Sequence, residues 1–264
     1  MPGSMAQNVC LVPGRGSPPA STLPASTTLK RAAILAWVGM DGYYQRHLSG
    51  IRLQRAYEIA SPRIRQYLRA EIDHVARRLR GAVCVLELGC GYGRILREIA
   101  PRVGRAAGID TSRTNLMLAT SYLEAQPNCD LFQMDAVRLA FPDGLFDAIL
   151  CLQNGISAFG VDRKRLASEA VRVTREGGLI LFSTYSPRIW LDRLDWFRAQ
   201  SRAGLVGELD ETLTRDGIIA CRDGFRSSAV SDPELSHLFE SVRQRAEVYE
   251  VDGSSLFAEV VRKG

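Results

Sequence analysis

The residues of this 264-residue chain best suited to chemistry begin in Val85-Leu-Glu-Leu-Gly-Cys-Gly-Tyr-Gly93. Gly89, Gly91 and Gly93 carry no Cβ and tolerate positive φ, so a ligand can approach the backbone closely. Cys90 lies between them, and a helix beginning after Gly93 would offer free N–H groups. The spacing Glu87-x-Gly-x-Gly-x-Gly differs from the GxGxxG of a pyrophosphate-binding turn. An acid at Glu87 suits a ligand with a cationic amine end and would repel a pyrophosphate. Asp110, in Gly108-Ile-Asp-Thr111-Ser112, falls about 20 residues beyond the loop, where an acid can accept two ribose hydroxyls. Asp135 is placed to accept an adenine amino group, with the next backbone N–H, at Ala136, reaching the ring. Cys151-Leu152-Gln153-Asn154 would border the reactive end of such a ligand.

These positions require strand ends on one edge of a sheet. After Gly81 the pattern predicts strands over 82–87, 106–109, 131–134, 148–152 and 179–185, alternating with helices over 94–100, 113–125 and 162–175. The run 148–152 is apolar throughout, as in a strand buried on both faces. This order predicts a mostly parallel sheet covered by helices on both faces. Upstream, Ser61 as cap, Pro62 at the first helical position and Gly81 after the end predict a helix. Its core face is Ile64, Tyr67, Leu68, Ile72, Val75 and Leu79; Arg63, Arg65, Arg69, Arg77 and Arg78 form a solvated face. Residues 1–28, rich in Pro, Ser, Thr, Gly and Ala, are read as a disordered tail, and 29–80 as N-terminal helices contributing to a lid. Beyond Ser186 we expect a helix over 187–203, a polar stretch over 204–230, a short helix over 232–241 and two strands, 245–250 and 256–262, joined through Asp252-Gly253 as a hairpin with a loop longer than two residues.

With these elements in place, residues 83–185 resemble the S-adenosylmethionine (SAM)-binding core of class I methyltransferases. Glu87 to Gly93 resembles the family's first motif, Gly108 to Ser112 the second and Met134-Asp-Ala136 the third. Phe146 to Asn154 resembles the fourth strand of small-molecule members, particularly glycine N-methyltransferase-like enzymes. Arg175-Glu-Gly-Gly178 resembles the turn before the fifth strand. The resemblance implies an α/β, Rossmann-like class I methyltransferase fold: a seven-stranded, mostly parallel sheet ending in an antiparallel hairpin. It implies a SAM-binding domain over 81–264, with a lid insertion at about 186–230. It also implies SAM as cofactor, held by Glu87, Gly89, Cys90, Gly91, Gly93, Asp110, Thr111, Asp135, Ala136, Cys151, Leu152 and Gln153.

The implied reaction is in-line methyl transfer to an N, O or S nucleophile, in which alignment can supply roughly 7–11 kcal/mol. A general base helps only an acceptor that must lose a proton. Of the three histidines, His74 is read as structural and His237 as a surface residue. His47, beside Tyr43 and Tyr44, is the candidate base, with Tyr44 and Asn154 as further candidate catalytic residues. No Asn/Asp-Pro-Pro-Tyr/Phe motif and no Pro-Cys nucleophile occurs, which favours a small-molecule acceptor over nucleic acid. RNA or protein methylation, a non-catalytic SAM-binding role, and arsenite methylation through Cys151 and Cys221 are the alternatives. The net charge of +5 suits an anionic small substrate or weak nucleic-acid contact. Six cysteines without CxxC or Cys/His zinc spacing read as reduced thiols in a cytoplasmic protein, with no metal site. No apolar run approaches the roughly 20 residues of a membrane span, and 32–40 is not read as a signal peptide. A monomer or homodimer is expected.

Overall fold

The computed structural model describes residues 42–264. The tail and the run 32–40 lie outside the described residues. The chain opens with α1 (Tyr43–His47), α2 (Ile51–Glu58) and α3 (Pro62–Arg78). There follow β1 (Cys84–Leu88), α4 (Arg94–Ile99), β2 (Arg105–Asp110), α5 (Arg113–Tyr122), β3 (Cys129–Gln133), β4 (Phe146–Cys151), α6 (Gly155–Ala158), α7 (Arg163–Val173) and β5 (Thr174–Tyr185). The remainder comprises α8 (Trp190–Arg202), β6 (Ile218–Ala220), β7 (Arg226–Ser228), α9 (Asp232–Glu240), β8 (Glu247–Val251) and β9 (Ser255–Val261).

The main sheet has seven strands in the order β3-β2-β1-β4-β5-β9-β8. The first five run parallel, and β9 pairs antiparallel with both β5 and β8. Strand alternation divides the core. Leu86, Ile149, Cys151, Phe182 and Ala258 pack against α7 and α9 through Leu166, Ala170, Leu235 and Phe239. Val85, Ala148, Leu150, Leu181 and Phe257 pack against α3, α4 and α5 through Val75, Leu79, Ile95, Leu96 and Ala119. The expected α/β fold with helices on both faces is therefore present.

The caps act as their residue types require. Ser61 Oγ accepts Ile64 N–H with Pro62 in the first turn, and Asp162 accepts Arg165 N–H at the start of α7. Val251 pairs with Ser255 across a three-residue turn, in which Asp252 and Gly253 take φ of 58° and 59°.

Two expectations are corrected. The polar stretch 204–230 contains the β6–β7 hairpin, whose strands are too short to show an alternating pattern. Strand β5 starts at Thr174 and bulges opposite Asp147, where the pairing shifts from Phe146–Thr174 to Ala148–Leu179. The arginine face of α3 is solvated, as expected, and in part ion-paired: Arg63 meets Asp252, Arg69 meets Asp73 and Glu98, and Arg78 meets Glu259.

Candidate active site

The β1–α4 loop takes the conformation its glycines permit, with φ of 69°, 55° and 86° at Gly89, Gly91 and Gly93. A Cβ at Gly89 would lie 2.4 Å from the Phe159 ring, and one at Gly93 would lie 2.7 Å from Leu123. The loop is tied to β2, since Cys90 N–H donates to Ile109 O at 2.8 Å and Gly91 N–H to Asp110 Oδ2 at 2.9 Å. The Cys90 side chain packs under β2, its sulfur 2.8 Å from where a Gly108 Cβ would stand. Burial raises its thiol well above the ordinary range, leaving the backbone as its contribution to the loop.

Glu87 is 3% exposed, and its Oε2 has no hydrogen-bond partner among the described residues. Burial pushes its carboxyl up to about 8; Arg94 opposes the shift, and Asp110 and Glu71 add to it. Arg94, the first residue of α4, has an equally unpartnered and buried Nη2, and its guanidinium lies 4.8 Å from the Tyr57 ring centroid. Buried polar atoms are normally satisfied. An orphaned carboxylate oxygen and an orphaned guanidinium N–H beside one glycine loop complement a ligand bearing an ammonium and a carboxylate. The residues present therefore fit the amino-acid end of SAM.

Parallel register aligns the carboxyl ends of the strands, pairing Leu88 with Ile109 and Asp110 with Gln133. Asp110 accepts Gly91 N–H, Ser112 N–H at 2.7 Å and Asn115 Nδ2 at 3.2 Å. Burial nevertheless raises its carboxyl. Asn115 Oδ1 in turn accepts Gly50 N–H at 2.7 Å, linking the start of α2 to this carboxylate. Thr111 uses its carbonyl to accept Gln133 Nε2 at 3.0 Å. Asp135 Oδ1 accepts Val137 N–H at 3.0 Å, with Ala136 buried between them.

The β4 end is strained. Gln153 and Asn154 take φ of 55° and 61° in succession, at about 1–3 kcal/mol each for side chains other than glycine. Two networks hold them. Gln153 N–H donates to Ser183 Oγ at 3.0 Å, and its Nε2 donates to Tyr67 Oη at 3.2 Å and to Glu71. Glu71, 0% exposed, also accepts Ser183 Oγ–H, and burial raises its carboxyl. Asn154 accepts Thr184 Oγ1–H at 2.7 Å and donates to Ser227 Oγ at 3.4 Å. Its amide is thus bonded between β5 and β7. Leu152 packs on the α3–α4 side.

Cys151 lies in the α7-side core, and Cys221 lies apart from it, among Leu209, Phe225 and Phe197. Burial raises both thiols, Cys221 to about 11, so neither offers a ready thiolate for arsenite. No group of three or more metal-ligating side chains occurs among the described residues.

His47, the candidate base, is exposed, with its ring 4.9 Å from Tyr43. His74 is structural, as expected: its Nε2 donates to Tyr249 Oη at 2.9 Å, and Tyr249 donates to Glu259. Tyr44 does join the interior. Burial raises its phenol far above 10, with Tyr185, Tyr57 and Arg193 as its charged or phenolic neighbours. Tyr44, Tyr57 and Gln153 all retain accessible surface although Tyr44 and Tyr57 are strongly desolvated. Sequence reasoning missed Glu71, Tyr57, Tyr185 and Arg193. The legible signal was Glu71, a carboxylate on the apolar face of α3 between Leu68 and Ile72.

Residues 85–178 match the family model described as a methyltransferase domain. The 2-methyl-6-phytyl-1,4-hydroquinone methyltransferase of Synechocystis is 30% identical over 105 residues, covering 39% of this chain and 32% of that protein. The fatty-acid O-methyltransferase of Mycolicibacterium smegmatis is 30% identical over 173 residues, 62% of this chain and 57% of that protein. The chain thus spans from about a third to somewhat over half the length of these curated relatives. The PH0226 protein of Pyrococcus horikoshii superposes with a TM-score of 0.59 at 18% identity, covering 77% of this chain and 92% of that one. Residues 85–178 thus match a methyltransferase-domain model, and the seven-stranded sheet is a fold shared with the PH0226 protein.

Proposed function

We propose that this protein transfers a methyl group from SAM to a small-molecule N, O or S nucleophile. The observation that carries the reading is the pair of unsatisfied buried groups, Glu87 Oε2 and Arg94 Nη2, at the Gly89–Gly93 loop. Bound there, SAM supplies an activated methyl on a good leaving group. Glu87 would hold its ammonium, Arg94 its carboxylate and Asp110 its ribose hydroxyls, while Asp135 and the Ala136 N–H would meet the adenine. The strained Gln153–Asn154 turn, fixed by Glu71 and Thr184, forms the wall beside the methyl. Tyr44 and Tyr57 keep accessible surface and provide an aromatic wall, with Tyr67 fully buried, so the site acts mainly by alignment.

The two curated relatives are named for a hydroquinone and a fatty acid, both small molecules, which supports a small-molecule acceptor here. No helix among the described residues is long and apolar enough to cross a membrane. The five described cysteines are free thiols, which supports a reducing, cytoplasmic setting. Transfer of tritium from methyl-labelled SAM into a metabolite extract tests the activity. Calorimetry with S-adenosylhomocysteine tests the site: Asp110→Ala removes charge-assisted bonds of about 1.5–3 kcal/mol, equal to a loss of affinity of roughly tenfold to a hundredfold. Unchanged affinity in D110A would sink the ribose assignment.

A further inference from the structure

Arg193 lies on α8, away from the cofactor loop, and is 1% exposed. Its guanidinium carbon stands 4.1 Å from the Tyr185 ring centroid and within 6 Å of Trp190 and Phe197. Nη1 donates to Gly217 O at 2.8 Å, and Nη2 donates to Ser227 O at 2.8 Å and to Ser227 Oγ at 2.9 Å. Every one of these partners is neutral, and Nε has none. Arg193 forms no salt bridge among the described residues; its electrostatic neighbours are the phenols of Tyr185, which also hydrogen-bonds it, Tyr44 and Tyr67. Arg94 also presents an orphan N–H, but its place at the cofactor loop accounts for it. Arg193 has no such explanation, and a buried cation without a counter-charge is strongly disfavoured.

The arrangement also says what kind of charge is missing. Both terminal nitrogens are committed to backbone carbonyls, so the planar fork that recognises phosphates bidentately is already used. The Nε–H, the second N–H of Nη1 and one positive charge remain. From the β4 end the path to Arg193 runs through aromatic rings: Gln153 bonds Tyr67, Tyr67 lies 5.7 Å from Tyr185, and Tyr185 lies beneath the guanidinium. The missing charge is therefore removed from the methyl-transfer end by a pair of rings.

Building on the methyltransferase reading, we infer that the acceptor is an apolar or aromatic monocarboxylate. Its carboxylate anchors at Arg193 beside Tyr44 and Tyr185, while its nucleophile lies at the Gln153 end. The carboxylate is an anchor and accepts no methyl. No bond to it forms or breaks; it supplies the counter-charge that the protein lacks.

The test uses protein saturated with S-adenosylhomocysteine, so that Arg94 is engaged, titrated with benzoate, 4-hydroxybenzoate, 3-phenylpropionate and octanoate, each against its primary amide. We expect carboxylates to bind about tenfold or more tightly than their amides, as a charge-assisted bond requires. R193Q should erase the difference while S-adenosylhomocysteine affinity is unchanged. Amides binding as tightly as acids, or neither series binding, overturns the anchor and leaves the cofactor reading standing. Failure of S-adenosylhomocysteine itself to bind overturns the methyltransferase reading, and the anchor falls with it. If R193Q does not fold, the acid-to-amide ratio on the unmodified protein decides, and Tyr44→Phe should reduce that ratio by removing a neighbouring hydroxyl.

Discussion

Glu87 shows how a single side chain joins burial to ligand choice. In the free protein its carboxyl is raised to about 8 by desolvation, so at neutral pH it is mostly protonated. A ligand ammonium favours the ionised form and lowers that value, so binding must expel a proton. Calorimetric enthalpies for S-adenosylhomocysteine at pH 7 should therefore vary with the ionisation enthalpy of the buffer, reporting a substantial fraction of one proton released. Glu87→Gln should remove most of that dependence and weaken binding by about tenfold. Buffer-independent enthalpies in the unmodified protein would show that Glu87 does not meet the ammonium. At this scale the sequence was informative wherever a residue type is rare for its place. Glycines at the loop and acids at strand ends could be read directly, because backbone conformation and charge restrict them. The exposure of His47 could not be read, because proximity in sequence to Tyr44 does not say which side of a five-residue helix faces inward. Arg193 was invisible because its burial depends on α8 meeting β7, a contact of |i−j| = 34.

Among the elements, the start of α2 is tied to the β2 end by one side chain, while Trp196 and Arg52 hold its body to α8 and the chain after it. Asn115, 4% exposed, accepts Gly50 N–H through Oδ1 and donates to Asp110 through Nδ2. Leu53 on α2 lies 3.1 Å from where a Gly91 Cβ would be. Gly50 takes φ 58° and ψ −131°, a conformation that only glycine adopts readily. Asn115→Ala should leave the sheet intact and free the start of α2, because it deletes bonds worth about 1–3 kcal/mol. Amide hydrogen exchange within Ile51–Glu58 should quicken by about tenfold or more, while exchange in β1 and β4 is unchanged. Equal protection of α2 in both proteins would mean that its other contacts suffice to hold it. The helices and central strands were legible from caps and periodicity: Ser61 with Pro62, Asp162, and the unbroken apolar run of β4. The β6–β7 hairpin was not, since three-residue strands carry too little alternation to stand out from a polar loop.

Across the whole molecule, two buried groups pull stability in opposite directions with pH. Burial, with Arg77 and Arg78 nearby, holds His74 down at about 4, so the unfolded chain binds its proton more readily. Its contribution is present above the unfolded value near 6.5 and is lost as pH falls toward 4. Glu87 is the reverse case. With its carboxyl raised to about 8, the folded state holds a proton that the unfolded chain has released, so stability declines as pH rises from about 4.5 through 8. The free protein should therefore melt highest in mildly acidic solution. Between pH 4.5 and 6.5 the two slopes oppose one another, so His74→Gln should leave stability falling steadily as pH rises from about 4.5 to 8, and Glu87→Gln should leave it rising from about 4 to 6.5 and level above. Ligand changes only one limb, because an ammonium at Glu87 supplies the charge that burial withholds. The rise in melting temperature given by S-adenosylhomocysteine should thus be larger at pH 8 than at pH 5.5, and Glu87→Gln should make it nearly equal at the two. The ligand amine itself stays protonated across most of this range, so the difference reports the protein carboxyl. An equal gain at both pH values in the unmodified protein would separate the Glu87 carboxyl from cofactor binding and return it to the status of a buried structural acid.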